Sequence, residues 1–288
     1  MAWEPCPLDI GFLRQHDEGP RGCIVTKYMK PYVATNWRET LEFNRLDDFD
    51  SLWRLETDWF EEPNQRRGGW SGVSRMLLNL PQEGEVGVFL KRQENHVRRT
   101  RAHPFAGIPT FRAEFQNILR LRQLDIPTME PVYYAERKGA KGWQCILITR
   151  ELEGYQPLDG IIEHWHTRGW SKFRAERRRT LAGAASVCAL LHSHHLVHRA
   201  LHAKHLFVNL QTSAVCFIDL EKMRSSWSSR QAMLRDLDGL NRHAYHLSRS
   251  DRLRFLLAYF NEHEVTDEVR KAWRALAARQ QRKTGGSP

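Results

Sequence analysis

The segment from Leu196 to Phe217 constrains the fold of this chain more than any other. It reads "LVHRALHAKHLFVNLQTSAVCF" and is followed closely by Asp219. Two short apolar runs, "HLFVNL" and "AVCFIDL", lie on either side of the turn-like "QTSA" and predict a small hairpin. His198 and Arg199 precede the first strand, and Asp219 ends the second. The pattern favours a histidine-rich loop with a functional carboxylate; an ordinary turn aspartate is the alternative for Asp219.

Upstream of this segment, the chain is predicted to form strands around one main helix. Apolar runs bounded by glycine and proline predict two strand pairs, at 72–80 and 84–92 and at 130–139 and 142–152. A helix is predicted between the pairs, over "FRAEFQNILRLRQL", because its apolar residues recur at helical spacing: Phe111, Phe115, Ile118 and Leu119.

The second half is predicted to be mostly helical. One helix is expected from about Ser171 to His195, and helical periodicity returns from Arg230, where "SRSDRLRFLLAYF" carries a serine cap. These patterns predict an α+β fold with two lobes, a small β-rich N-terminal lobe with one main helix and a mostly helical C-terminal lobe. The expected domains are an N-terminal extension of uncertain structure, the N-lobe, the C-lobe and a flexible tail: 1–50, 51–152, 153–280 and 281–288.

Composition indicates a globular protein with anionic partners. The chain is 41% hydrophobic and 27% charged, and its formal net charge of +10 suits nucleotide phosphates, nucleic acid, acidic lipid or a phosphorylated glycan. No RRM, zinc finger or other nucleic-acid signature is present, which argues against nucleic acid. The five cysteines form no CxxC pair and are expected to be reduced. Without a signal layout or a spanning apolar run, we expect a cytoplasmic protein, with contact to a membrane face left open.

Residue types that nucleotide sites use follow one another in the N-terminal half. A glycine cluster lies at the entry to a strand, where backbone amides can approach phosphate oxygens: Gly68, Gly69, Ser71 and Gly72. A plain turn is the alternative. Lys91 ends the next strand and Glu114 lies on the predicted helix, the arrangement by which kinases hold nucleotide phosphates. Two unrelated solvated charges are the alternative for this pair.

Five blocks of the chain carry a family resemblance: "DWFEEPNQRRGGWSGV", "FLKR", "HPFAGIPTFRAEFQNILRL", "HRALHAKHLFV" and "FIDLEKMR". Together, over roughly residues 53–260, they resemble the lipopolysaccharide core sugar kinases, the InaA-type branch that is related to the heptose kinases. The resemblance implies a protein-kinase-like fold and the use of ATP and Mg²⁺. It also implies phosphorylation of inner-core sugars of lipopolysaccharide at the cytoplasmic membrane of Gram-negative bacteria.

The resemblance assigns roles to individual residues. Lys91 would bind phosphates and Glu114 would orient it. His198 and Arg199 would shape the catalytic loop. In kinase-like folds an aspartate at this point of the chain forms hydrogen bonds with the backbone of that loop, and Asp236 is the candidate for this role. The alternative for Asp236 is an ordinary carboxylate at the start of a helix.

The metal ligands and the catalytic base depart from the protein-kinase pattern. Asp219 would hold Mg²⁺, and His205 occupies the position of the metal-binding asparagine, although imidazole nitrogen suits Mg²⁺ less well than oxygen. His205 would otherwise bond the loop or a phosphate. Ala200 stands where protein kinases have the catalytic aspartate, and His202 is the candidate replacement base, with a pKa expected near neutrality. A loop histidine satisfied by backbone or solvent is the alternative for His202.

Two functions follow from these assignments. The favoured one is an enzyme that transfers phosphate from ATP to a hydroxyl of a lipopolysaccharide core sugar, which the resemblance to the heptose kinases implies is a heptose. The other is a pseudokinase, a binding or regulatory protein in lipopolysaccharide assembly or envelope stress without turnover, and Ala200 supports it. The substrate hydroxyl and the oligomeric state stay open. The histidine cluster around His195 does not predict a zinc site, because no cysteine or carboxylate completes a familiar ligand spacing.

Overall fold

The structure, a computed structural model, describes residues 29–66, 68–99 and 107–284. These residues form two compact units. The first contains the described residues up to Phe111 together with Leu119–Asp125 and Pro131–Thr149. The second contains Arg112–Ile118, Ile126–Glu130 and the described residues from Arg150 onward. The lobe limits expected from the sequence remain predictions.

The first unit is built on a six-stranded sheet with the order β1-β7-β8-β4-β3-β2. Its strands are β1 (Tyr32–Val33), β2 (Glu61–Arg66), β3 (Gly69–Asn79), β4 (Glu85–Glu94), β7 (Pro131–Gly139) and β8 (Gly142–Arg150), and a separate short pair is formed by β5 (Val97–Arg98) and β6 (Ile108–Pro109). Strands β3 and β4 pair antiparallel from Trp70 opposite Glu94 to Asn79 opposite Glu85. Both predicted strand pairs are thus confirmed. Strand β2 escaped prediction because "EEPNQR" has no apolar alternation.

Two short helices cover one face of this sheet. They are α1 (Arg38–Phe43), which falls within the segment 1–50 whose structure the sequence left open, and α2 (Phe49–Arg54), which begins at the end of that segment. Leu41 and Leu52 are fully buried and share a hydrophobic core with Leu78 of β3 and Leu90 of β4. Burial of a leucine side chain contributes about 1.5–3 kcal/mol, so this part of the N-terminal segment is held to the sheet.

The predicted main helix is α3 (Thr110–Gln123), and all four of its expected apolar residues are buried. Its start is fixed by Gln93 of β4, whose side chain is completely buried. Gln93 Oε1 accepts hydrogen bonds from Thr110 Oγ1, at 2.8 Å, and from the backbone N–H of Phe111, at 3.0 Å. The side chain therefore does for the first turn of α3 what an N-cap residue does for an isolated helix.

The second unit contains five helices within the part of the chain that the structure describes: α4 (Leu158–Arg168), α5 (Arg174–Ser193), α6 (Ser229–His243), α7 (Arg249–Phe260) and α8 (Asp267–Thr284). The long predicted helix is α5, and its inner residues Leu181 and Cys188 are buried as expected. The serine cap is Ser248, whose Oγ accepts a hydrogen bond from the backbone N–H of Asp251 at 3.1 Å. Sequence interpretation missed α4, although four of its residues recur at helical spacing and are buried: Leu158, Ile161, Ile162 and Trp165.

Small strands position the loops of the second unit. Strands β9 (Tyr155–Pro157), β11 (Leu206–Asn209) and β12 (Val215–Phe217) form a sheet in the order β12-β11-β9, and β10 (Leu196–Val197) pairs with β13 (Arg224–Ser225). Leu206 lies opposite Phe217, so the hairpin predicted at these positions is confirmed. Its open end carries the histidine loop on one side and Asp219 on the other.

Three cysteines lie within the described residues, and all are free and buried: Cys145, Cys188 and Cys216. The expectation that these are reduced core cysteines agrees with this, while Cys6 and Cys23 lie outside the described residues. None of the helices described between residues 29 and 284 is long and apolar enough to cross a membrane.

Candidate active site

The backbone of the histidine loop is held by a buried carboxylate from α6. Asp236 is 1% exposed and accepts hydrogen bonds from the backbone N–H groups of His198 (2.6 Å, to Oδ2) and Arg199 (2.8 Å, to Oδ1). His192 Nε2 lies 3.2 Å from Oδ2. Arg199 has a φ of 68°, a left-handed conformation that is uncommon for a residue with a side chain. Asp236 therefore stabilises a turn that the chain disfavours, and its predicted bond to the loop backbone is confirmed.

His198 connects the loop to the strand that leads to Asp219. Its side chain is completely buried, and Nε2 donates a hydrogen bond to the carbonyl oxygen of Ile218 at 3.0 Å. Burial lowers the pKa of His198, so the ring is neutral at physiological pH. These contacts position the residue that precedes Asp219, and a direct catalytic role for His198 stays a prediction.

Asp219 and His205 meet at the open end of the hairpin. Asp219 adopts a left-handed conformation, with φ and ψ both 57°, which turns the chain out of the strand. Its Oδ2 lies 3.3 Å from His205 Nε2. A carbonyl oxygen can only accept, so His205 Nδ1, 2.7 Å from the oxygen of Ala200, carries a proton and donates it there. His205 thus forms a hydrogen bond with the loop, which was one of the alternatives to a metal role predicted from the sequence.

The donor set at this point suits a magnesium ion only in part. The carboxylate of Asp219 is about one-third exposed and offers the oxygen ligands that Mg²⁺ prefers. The imidazole of His205 is engaged with the loop and is a poorer ligand for Mg²⁺ than an oxygen would be. Among the residues described, no group of three histidine, cysteine or acidic side chains is arranged around a metal position. Asp219 fits the metal role, and the metal role of His205 stays a prediction.

The pKa of His202 differs from the value expected from the sequence. Its half-buried ring lies against that of His243, tilted by 35° with centroids 4.0 Å apart, and is nearly parallel to that of His205 at 5.5 Å. Burial, together with the neighbouring His243 and His205, lowers the pKa of His202 to about 4. The predicted near-neutral pKa is therefore wrong, because sequence alone did not show the surrounding rings. The ring is unprotonated at pH 7 and can accept a proton, but it is a weak base.

A known protein family matches the part of the chain that contains this site. The family model for the lipopolysaccharide kinase (Kdo/WaaP) family matches residues 50–259. The chain belongs to the lipopolysaccharide kinase (Kdo/WaaP) family. The chain is also 27% identical over 209 residues to Protein InaA of Escherichia coli (strain K12), an alignment that covers 72% of this chain and 93% of InaA.

A solved structure shows the same fold. It is described as WaaP in complex with acyl carrier protein, and the match has a TM-score of 0.62 and 22% sequence identity. It covers 88% of this chain and 98% of the matched chain. The predicted two-lobed, protein-kinase-like α+β fold is confirmed by this match, and the predicted family resemblance is confirmed by the family model.

In this family member, packing explains two of the three glycines in the predicted phosphate loop. A Cβ on Gly72 would lie 2.4 Å from the indole ring of Trp59, and one on Gly69 would lie 2.2 Å from the carbonyl oxygen of Glu94. Gly68 has a φ of +75°, and a Cβ there would make only an ordinary contact with Asn95 Nδ2, at 3.9 Å. Close packing thus accounts for Gly69 and Gly72 without a nucleotide, and the phosphate-binding role of the cluster stays a prediction, as it does for Ser71 on β3.

Lys91 and Glu114 occupy the elements predicted for them. Lys91 lies on β4 opposite Val73, half-buried, and its ammonium is 6.0 Å from the ring centroid of Phe111. Glu114 lies on α3 and is 2% exposed, which is unusual for a carboxylate. The interaction between Lys91 and Glu114 stays a prediction.

Sequence interpretation missed one residue that positions the site. Asn117 of α3 donates hydrogen bonds from Nδ2 to the carbonyl oxygens of Leu220 (2.7 Å) and Met223 (3.1 Å). These carbonyls belong to the turn that follows Asp219, so Asn117 holds that turn in place. An asparagine on a helix has many uses, and only its proximity to the turn reveals this one.

Proposed function

We propose that the protein is a phosphotransferase that uses ATP and Mg²⁺ to phosphorylate a hydroxyl of a lipopolysaccharide core sugar, a heptose. The observation that carries the proposal is the arrangement around Asp219, whose carboxylate lies beside a loop held in a disfavoured turn by Asp236. Membership of the lipopolysaccharide kinase family supports kinase chemistry. Phosphoryl transfer depends mainly on positioning, and the histidine loop, the hairpin and the Asp219 carboxylate are the parts that would provide it.

Each residue has a stated task in this proposal. Lys91 binds nucleotide phosphates and Glu114 orients it, while Asp219 holds the magnesium ion, which would neutralise charge on the phosphates. Gly68 lets the backbone approach a phosphate. His205 fixes the loop through the carbonyl of Ala200.

The absence of an aspartate at position 200 is compatible with turnover. Phosphoryl transfer proceeds through a loose transition state in most analyses, so positioning and charge neutralisation supply most of the rate. The acceptor hydroxyl forms the new O–P bond as ADP departs, and its proton passes to His202 or to water. With a pKa of about 4, His202 contributes little base strength. We therefore expect a slow enzyme.

The alternative function is a pseudokinase that binds nucleotide without turnover. The observation in its favour is Ala200, a buried methyl group where the substrate hydroxyl would need a proton acceptor. Both functions require Lys91 for nucleotide binding. They differ in ADP release.

The decisive experiment measures Mg²⁺-dependent ADP release with and without deacylated core oligosaccharide. Saccharide-stimulated release is expected from the wild-type protein, and Lys91→Ala should abolish both release and ATP binding. Lys138→Ala, an exposed lysine on β7, is the matched control and should change neither. Unchanged activity in Lys91→Ala would refute the kinase assignment.

A second variant separates the enzyme from the pseudokinase. Ala200→Asp restores a carboxylate and should raise the rate at least about tenfold, a modest share of what a general base supplies. No release by the wild type, together with release by Ala200→Asp, would favour the pseudokinase.

We further propose that the protein works at the cytoplasmic face of the inner membrane, where its net charge of +10 would favour an anionic leaflet. Two of its arginines are unavailable for this purpose. Arg92 is buried and donates to the carbonyl oxygens of Trp53 and Leu55, at 3.1 and 2.6 Å. Arg177 is buried and pairs with Asp251 at 3.1 Å. Vesicle sedimentation with and without anionic lipid tests this proposal: binding only to anionic vesicles supports it.

A further inference from the structure

A polar cavity lies next to the histidine loop, entirely within the second unit. Its volume is about 430 Å³, within the range of small-molecule sites. The loop contributes His202 and Lys204, α4 contributes Asp159 and Glu163, and the end of α6 contributes His243. Of the phosphate-transfer residues named above, only His202 lines this cavity.

The cavity is in contact with the candidate reaction centre through a short chain of rings. His202 lines the cavity, and its ring lies 5.5 Å from that of His205 at an interplanar angle of 9°. His205 Nε2 is in turn 3.3 Å from Asp219 Oδ2. A molecule in the cavity would therefore lie two imidazole rings away from the carboxylate that we assign to magnesium.

Aromatic rings form much of the cavity wall. The rings of His202 and His243 are in contact at an interplanar angle of 35°, and the ring of Tyr245, which is 76% exposed, lies edge-on to His243 at 6.3 Å. On the other side, His246 stacks on His166 with centroids 4.0 Å apart. Such rings present an apolar face together with a polar edge, which suits the C–H faces and hydroxyl groups of a sugar.

The charged groups of the cavity favour an uncharged ligand. Two carboxylates, Asp159 and Glu163, face one ammonium, that of Lys204, which leaves an excess of one negative charge when the histidines are neutral. Glu163 Oε2 lies 3.0 Å from His246 Nε2. The second oxygen of this carboxylate is an acceptor that a hydroxyl group can use. An anionic ligand would meet the excess negative charge.

We propose that this cavity is the acceptor-saccharide site, and that Asp159 and Glu163 make it select an uncharged, hydroxyl-rich sugar over a sugar acid. The assignment of the ligand as the acceptor rests on the phosphotransferase function proposed above. A repulsion between like charges at partly exposed positions corresponds to roughly a tenfold difference in affinity. We expect discrimination of about that size.

Calorimetric titration with two probes tests the selectivity. The probes are the methyl glycosides of an uncharged heptose and of a 3-deoxyoctulosonic acid, added to the full chain with and without ATP and Mg²⁺. The heptoside should bind about tenfold more tightly than the sugar acid. The double variant Asp159→Asn/Glu163→Gln should reduce this difference to less than about threefold, mainly by gaining affinity for the acid. Glu264→Gln, which removes an exposed carboxylate beyond α7, is the matched control and should retain the full difference.

A third variant tests the location of the sugar. His243→Ala removes an aromatic wall and should weaken binding of the heptoside at least about tenfold, while ATP affinity stays unchanged. Loss of ATP binding in the same variant would indicate a damaged fold. The change in selectivity of the charge-neutralising double variant, which a structural defect does not mimic, then decides whether the sugar binds here.

The outcomes separate this inference from the proposed function. Selective sugar binding without ADP release would support the cavity assignment and count against phosphotransfer. Saccharide-stimulated ADP release whose KM is unchanged in both variants would retain the enzyme and overturn the cavity assignment. Failure of both sugars to bind, or binding of inorganic phosphate in preference to either, would also overturn it.

Discussion

Replacement of Asp236 by alanine should destabilise the protein more than any exposed substitution on the same helix. The carboxylate is 1% exposed and accepts from the backbone N–H groups of His198 and Arg199 at 2.6 and 2.8 Å. In the variant these two donors lose their buried partner. Each unsatisfied donor costs about 1–3 kcal/mol, so we expect a loss of roughly 4 kcal/mol in the free energy of unfolding.

Chemical and thermal unfolding followed by circular dichroism measures this loss. For a chain of this size, 4 kcal/mol corresponds to a fall in Tm of roughly 8–16 °C. Asp236→Asn keeps one acceptor oxygen and should lose about half as much. Arg235→Ala changes the exposed neighbouring residue and should alter stability by less than about 0.5 kcal/mol. A loss below about 1 kcal/mol in Asp236→Ala would refute the argument that this carboxylate holds the loop.

Three further perturbations have expected outcomes. Gly72→Ala should lower the free energy of unfolding by about 1–3 kcal/mol because its Cβ meets Trp59. Gly160→Ala, where the nearest atom is 3.7 Å away, should raise it by up to about 1 kcal/mol. Urea unfolding measures both changes, and changes of the same sign would contradict the packing argument. The lowered pKa of His202 means that the unfolded chain binds more protons than the folded chain between about pH 4 and 6.5, so stability falls as the pH falls through this window. The Tm of His202→Gln should depend less steeply on pH in this window. A slope of Tm against pH identical to that of the wild type would exclude the effect. Arg177→Ala removes the buried partner of Asp251, whose carboxylate keeps Arg254, at 3.5 Å, and the Ser248 hydroxyl. Loss of one charge-assisted hydrogen bond should cost about 1.5–3 kcal/mol in urea unfolding, a result that a near-wild-type midpoint would contradict.

The sequence by itself determined the elements whose signals are local. The apolar runs of β3 and β4, the helical spacing along α3 and α5, and the hairpin that ends before Asp219 each depend on neighbouring residues, and the structure has all of them. The family was also readable from short motifs. The bond from Asp236 to the loop backbone was expected because the order of motifs implied a kinase-like fold, in which this position has a defined task.

Tertiary structure decided the properties that depend on residues far apart in the chain. The packing role of Gly72 requires Trp59 to lie across its strand, and the pKa of His202 depends on burial and on the ring of His243 from α6. The cavity likewise combines α4, the histidine loop and the end of α6. Burial and electrostatic interactions act through space, so a linear pattern can name the candidate residues of a site, but their protonation, packing and shared surfaces follow only once the chain is folded.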